Sequence, residues 1–252
     1  FHFVPNRFTP AFVLISFKKH LSSSIKNYII SVYDFRRQMP TISLMDTAGQ
    51  GRYSMTNQEL YKELLRKLSN LDFIKPEEIP NIDLYMDQVT TFMNDHLADA
   101  KRREDDKILT KTMINNYAKN NLLPPPVKKK YSKEHMLLLI FIYYMKSFLS
   151  ITDIQELFSP LTSHFGKTEK WNLEDIYSEV VSFESEEMHR LLKDIYAKFH
   201  LSKTSFADAS GTEQEELQLF SFICMLGFDV YLKKRMIETI IDIRKSEKDK
   251  KD

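Results

Sequence analysis

Cysteine occurs once in these 252 residues, at Cys224. An internal disulfide framework and a cysteine-rich metal site are both excluded, and a reducing, cytoplasmic location is expected. Glycine is scarce, with five residues, and proline contributes nine. Sheets built on tight turns use glycine at left-handed positions, so helix is favoured from composition alone. No apolar run approaches the roughly 20 residues that span a bilayer, and the segment Ala11–Ile15 plus Phe17 falls well short. The phosphate-cradling pattern Gly-x-x-x-x-Gly-Lys-Ser/Thr is missing. Seven histidines are scattered at His2, His20, His96, His135, His164, His189 and His200, with no pair at the i, i+4 spacing of a helical metal site. Cys224 lies among Phe222, Ile223 and Met225, as a small core residue rather than a nucleophile. No catalytic residue, cofactor or metal is expected, and the chain does not read as an enzyme.

Hydrophobic residues are 42% and charged residues 28%, the balance of a globular fold. The net charge of +1 says little about partners, but its distribution says more. Lys101–Lys146 holds eleven Lys or Arg against four acids, whereas Ser150–Ile243 holds nine against seventeen. A basic middle followed by an acidic remainder suits a nucleic-acid surface joined to a module that stays off the polyanion. Ordinary solvated faces are the competing reading.

The first residue is Phe1 rather than Met, so a fragment, a processed product or an upstream start is expected. Residues 1–38 carry six basic residues (Arg7, Lys18, Lys19, Lys26, Arg36 and Arg37) and one acid, Asp34. We read residues 1–55 as a weakly ordered extension, with 1–38 dispensable for the rest. Asp46-Thr-Ala-Gly-Gln50, with Arg52 and Tyr53, resembles the second switch of small GTPases. Without a phosphate loop or an Asn-Lys-x-Asp for guanine, it reads as a coincidence in a linker.

From residue 56 the helical signals become regular. Thr56 caps a helix bearing Leu60, Leu64, Leu65 and Leu68, and residues 56–83 form this helix and a linker. A second helix is expected over about 83–97 and a charged loop or helical extension over 101–107. Helices follow at about 110–120, ended by Pro124–Pro126, and 132–148. Ser150 caps the next, with Asp153 completing a capping-box variant. Residues 166–252 read as two long helices, about 172–199 and 212–244, the second apolar on more than one face.

The informative stretch runs from Leu109 to Leu157. Thr110 offers a cap oxygen to a helix that presents Lys111, Thr112, Asn115, Asn116 and Lys119 outward. Met113, Ile114 and Tyr117 point inward. Asparagine amides match the donor–acceptor pair of adenine in the major groove, and lysine suits guanine or phosphate. Asn121 stands where a left-handed residue ends a helix. Lys128, Lys129 and Lys130 form a concentrated positive tip suited to phosphates.

This stretch resembles the DNA-binding domain of MerR-type regulators. The resemblance rests on Thr110, Tyr117, Leu122, Leu123, Pro125, Tyr131, Ser132, Ser150, Asp153 and Ile154 in order and spacing. It departs at Thr112 and Asn115, where the family has arginines, at Asn116 for a tyrosine and at Asn121 for the glycine. The wing is shortened to Val127–Lys130, leaving little room for a β-hairpin. The chain is also similar to the bacterial domain-of-unknown-function family 1836 over about residues 84–190.

The resemblance implies an all-α protein with a winged-helix, MerR-like helix-turn-helix domain of reduced wing at 84–165 and a helical C-terminal region at 166–252. It implies a DNA-binding transcription regulator contacting double-stranded DNA through Thr110, Lys111, Thr112, Asn115, Asn116, Lys119, Lys128, Lys129 and Lys130. The greasy C-terminal helices are expected to form a homodimer, with Ile237 and Ile241 as candidate partner-facing positions. The Met and aromatic side chains of these helices read as core plus dimer interface, with a pocket for an unknown apolar effector as the alternative. The runner-up function is a helical protein–protein interaction module that does not touch DNA.

Overall fold

The computed structural model describes residues 55–250, apart from residues 69–70, 72, 164 and 166–170. All described residues belong to one unit, Ser54–Asp252. Residues 1–54, including the basic segment, the Asp46–Gln50 motif, His2 and His20, lie outside the described residues, as does His164.

Helices dominate. They are α1 (Asn57–Leu68), α2 (Met86–His96), α3 (Lys111–Lys119), α4 (Lys133–Met145), α5 (Ile151–Ser163), α6 (Leu173–Ser182), α7 (Glu184–Ser202) and α8 (Gly211–Lys248). Two short strands, β1 (Leu84–Tyr85) and β2 (Lys130–Tyr131), pair antiparallel, with Leu84 opposite Tyr131 and Tyr85 opposite Lys130. The all-α class expected from composition holds, with one small sheet added.

Local chemistry explains most boundaries. The Thr56 hydroxyl accepts the Glu59 N–H at 3.3 Å, and the Glu59 carboxylate takes the Thr56 N–H at 2.9 Å, a capping box that opens α1. Ser150 and Asp153 make the same reciprocal pair ahead of α5. Asn172 accepts the Asp175 N–H at 2.9 Å ahead of α6.

α4 is the centre of the domain. His135 through Ile142 are all buried, so this helix has no solvent face over two turns and is packed from every side. Around it stand Val89, Phe92 and Met93 of α2, Ile114 and Tyr117 of α3, Ile154 and Phe158 of α5, and Leu173 and Tyr177 of α6. Ile74 and Ile79 join from the N-terminal side. A second cluster gathers Tyr61 of α1, Ile195 and Phe199 of α7, and Phe222 of α8, with Tyr61 stacked on Phe199 at 4.2 Å. The 38 residues of α8 reach about 57 Å at 1.5 Å per residue, long enough to serve both clusters.

Four expectations need correction. The stretch 83–97 begins as strand β1, because Leu84 and Tyr85 find a partner in β2. The expected helix over 172–199 is two helices. The chain turns at Phe183, whose N–H bonds back to Val180, and an acidic first turn at Glu184, Glu186 and Glu187 opens α7. Ile241 is buried and Ile237 packs against the main core, so both face their own chain. A β-hairpin does fit in Val127–Lys130, as the interface below shows.

Candidate nucleic-acid interface

α3 is built as its sequence suggests. The Thr110 hydroxyl accepts the Met113 N–H at 3.2 Å, so this oxygen is engaged as a cap. Ile114 and Tyr117 are buried, Met113 packs beside them, and Lys111, Thr112, Asn115, Asn116 and Lys119 are exposed. Asn121 takes φ 54°, and Leu122 N–H donates to the Tyr117 carbonyl at 2.9 Å to close the helix. Leu122 and Leu123 then bury themselves in the core. The long connection before α3 is also anchored: Ile108 and Leu109 are buried, and Lys146 Nζ donates to the Ile108 carbonyl at 2.8 Å.

The lysine run forms a minimal wing. Val127 N–H donates to the Lys130 carbonyl at 3.1 Å, and Lys130 N–H donates back to Val127 at 2.9 Å. Lys128 and Lys129 occupy the two loop positions at φ 50° and 65°. Two consecutive positive φ values define a type I′ turn, which needs only two loop residues. This is why four residues suffice for a hairpin. Lys128 and Lys129 are exposed at its tip, and among the described residues neither makes an ion pair. Lys130 differs from the expected free cation: it is half-buried, with Nζ 5.1 Å from the Tyr85 ring centroid.

Behind the wing sits His135, 2% exposed. Its Nδ1 accepts the Ser132 N–H at 3.0 Å, completing the cap of α4 and leaving the proton of the neutral ring on Nε2. Tyr131 and Phe165 meet the imidazole edge-on at 5.5 and 4.7 Å. Nε2 meets no partner at full hydrogen-bonding geometry among the described residues, so the Pro125 and Pro124 carbonyls act on it only weakly. Burial holds this histidine below its ordinary pKa, against the opposing pull of the Pro125 and Pro124 carbonyls and of Asp83.

Two contacts bring the helix and the wing to one place. Lys111, at the start of α3, pairs with Asp87, while Lys130, at the base of the wing, lies over Tyr85. Tyr85 and Asp87 are two residues apart at the β1–α2 junction, so both basic elements lean on the same short piece of chain. Asp87 also sets a carboxylate beside the Lys111 ammonium. Tyr85 and Asp87 are the residues that sequence reasoning overlooked. The turn-rich Pro80-Asn81-Ile82-Asp83 ahead of Leu84-Tyr85 was the one local hint of a strand.

Among the described residues no group of three His, Cys, Asp or Glu is placed to hold a metal ion, and no helix is long and apolar enough to cross a membrane.

Residues 74–180 match the model of a family described as Domain of unknown function (DUF1836). The matched span runs from Ile74 into α6 and takes in β1, the wing, α3 and most of the α4-centred core. No curated protein and no solved structure matches the chain.

Proposed function

We propose that this chain binds double-stranded DNA through a MerR-like winged helix-turn-helix domain and acts as a cytoplasmic transcription regulator rather than an enzyme. The observation that carries this reading is the shared footing of α3 and the wing on Tyr85 and Asp87. In this reading α3 enters the major groove. The amides of Asn115 and Asn116 have the donor–acceptor pair that recognises adenine. The ammonium groups of Lys128 and Lys129, compact and strongly hydrated, suit phosphates. Lys111, Thr112 and Lys119 supply further contacts from the same exposed face, and Thr110 contributes by fixing the helix start.

Gel-shift titration with duplex DNA at low salt tests the reading. Lys129→Ala should weaken binding to every sequence alike and reduce the slope of log affinity against log salt by about one unit. Asn115→Ala or Asn116→Ala should leave the slope intact and cost about 1–3 kcal/mol on a preferred site. If none of these changes alters affinity or slope, DNA recognition by this surface is refuted and a helical protein-interaction module takes its place.

The same reading takes the protein to be a dimer through α8, which suits two half-sites related by a two-fold axis. Phe228, Leu232, Met236 and Ile240 follow one another at four-residue spacing along α8 and are each more than half exposed. Phe220, Tyr231 and Ile243 are more than half exposed as well, and apolar surface left in water on this scale marks an interaction face. Leu232→Glu with Met236→Glu should convert the dimer to monomer in sedimentation at micromolar concentration. A wild-type monomer there would refute the dimer.

A further inference from the structure

The acidic balance of Ser150–Ile243 stops short of the end of α8. From Arg244 to Lys250 four basic residues, Arg244, Lys245, Lys248 and Lys250, stand against Glu247 and Asp249. All of these residues are exposed, and they form the end of the helix and the two residues after it.

Tertiary packing puts this end beside α3. α8 packs on α5. Glu156 of α5 pairs with Lys248. Its neighbour Gln155 donates through Nε2 to the carbonyl of Asn120, the residue that follows Lys119 at the end of α3. Two adjacent residues of α5 therefore hold the end of α3 and the end of α8. At the opposite end of α3, Lys111 pairs with Asp87, next to Tyr85 and the wing. A chain of direct contacts thus runs from the wing, along the roughly 14 Å of α3, to the last turn of α8.

The two acids that anchor this line, Asp87 and Glu156, are each paired with a lysine. The Lys248 ammonium bonded to Glu156, followed by the charges of Lys245 and Arg244, holds this carboxyl below its ordinary pKa. Three cations gather around one carboxylate, and only Lys248 is paired with it. Arg244 and Lys245 make no ion pair among the described residues. Helical geometry sorts the charges. At about 100° per residue, Arg244 and Lys245 lie about 40° and 60° to either side of Lys248, whereas Asp242, Glu247 and Asp249 lie about 100° or more away. The cations share the side that meets α5, and the acids turn from it.

We infer that the end of α8, through Arg244 and Lys245, is a second phosphate-binding surface that grips the DNA backbone beyond the stretch met by α3 and the wing. This inference rests on the reading of α3 as the DNA-binding helix. The Arg244 guanidinium presents a planar fork to phosphate oxygens, and Lys245 adds a compact ammonium. Each phosphate neutralised releases condensed counterions, so the contact adds affinity for every sequence and reads none. The Glu156–Lys248 pair ties α8 to α5 and leaves the two flanking cations to the polyanion.

Gel-shift titration of the full chain against a random-sequence duplex, over a salt series, tests this. Arg244→Ala with Lys245→Ala should lower the slope of log affinity against log salt by about two units and leave the melting temperature unchanged. Glu156→Gln releases Lys248, so it should strengthen binding and steepen the slope by about one unit. Lys62→Ala with Lys67→Ala removes the same charge from α1, whose cluster with Phe222 lies about 33 Å along α8 from Arg244, and should leave the slope as it is. A wild-type slope in the Arg244 and Lys245 variant, while Lys129→Ala lowers it, overturns the inference and leaves the DNA-binding reading standing. An equal fall in the α1 control also overturns it, since net charge rather than contact is then responsible. Failure of the wild-type chain to bind duplex even at low salt refutes the DNA-binding reading itself, and the second surface with it.

Discussion

The wing offers a test in which stability and DNA affinity should move in opposite directions. Lys128 and Lys129 hold φ 50° and 65°, a region in which a β-carbon crowds the backbone. Each lysine there costs about 1 kcal/mol relative to a residue that tolerates the conformation. Asn-Gly is the preferred pair for a type I′ turn. Replacing both, as Lys128→Asn with Lys129→Gly, relieves about 2 kcal/mol of this strain. The greater freedom of glycine in the unfolded chain offsets up to about 1 kcal/mol, leaving a net stabilisation near 1 kcal/mol. For a domain of this size that raises the melting temperature by about 2–4 °C. The same change removes the two exposed ammonium groups at the tip. If they neutralise phosphates, the slope of log affinity against log salt should fall by about two units, with weaker binding to all sequences. Calorimetric melting and gel-shift titration over a salt series read the two effects separately. A lower melting temperature would refute the strained-turn assignment. A higher melting temperature with an unchanged salt slope would show that the lysines do not touch phosphate.

Two further perturbations address the neighbours of the wing. Asp87→Asn removes a carboxylate from the basic surface and frees Lys111, so DNA affinity should rise and the salt slope steepen by about one unit. The pair is well exposed, with side chains 59% and 78% accessible, so thermal stability should change by less than about 0.5 kcal/mol. A loss of affinity would mean instead that Asp87 orients α3 for binding. Burial depresses the His135 pKa, so the folded protein binds fewer protons than the unfolded chain between the folded and unfolded values. Stability contributed by the neutral ring is therefore complete above the ordinary histidine pKa of about 6.5 and is lost as pH falls through the lower folded value. Urea unfolding between neutral and mildly acidic pH should show this loss. His135→Gln, which keeps an N3 acceptor for the Ser132 N–H, should flatten it, and an unchanged pH slope would assign the effect to another group.

The elements legible in the sequence are those whose causes lie within a few residues. Thr110 and Met113, Ser150 and Asp153, and Asn121 after Tyr117 are local arrangements of donor, acceptor and permitted φ. The inward face of α3, with Met113, Ile114 and Tyr117, follows from helical periodicity in the same way. The corrections fall where the cause is distant. Leu84 and Tyr85 become a strand because Tyr131 and Lys130 lie opposite them, a partnership that periodicity in the helix ahead does not reveal. Lys130 leaves the positive tip because the Tyr85 ring lies beneath its ammonium, although its two neighbours stay in water. Nothing in Val181-Ser182-Phe183 breaks a helix by propensity, and the packing of α6 and α7 decides the turn there. Ile237 and Ile241 read as outward from a helix that is apolar on several faces, and only the position of the α4-centred core turns them inward. A groove lined by Phe73, Tyr177 and Asp229 is the extreme case. Its residues come from α4, α6, α7, α8 and the segment before Ile74, and no window of sequence brings Phe73, Tyr177 and Asp229 together. Caps, turns and helical faces are decided by short-range sterics and hydrogen bonding, which a linear chain displays. Pairing, burial of one face over another and cavities are decided by which surfaces meet, and only the packed structure determines that.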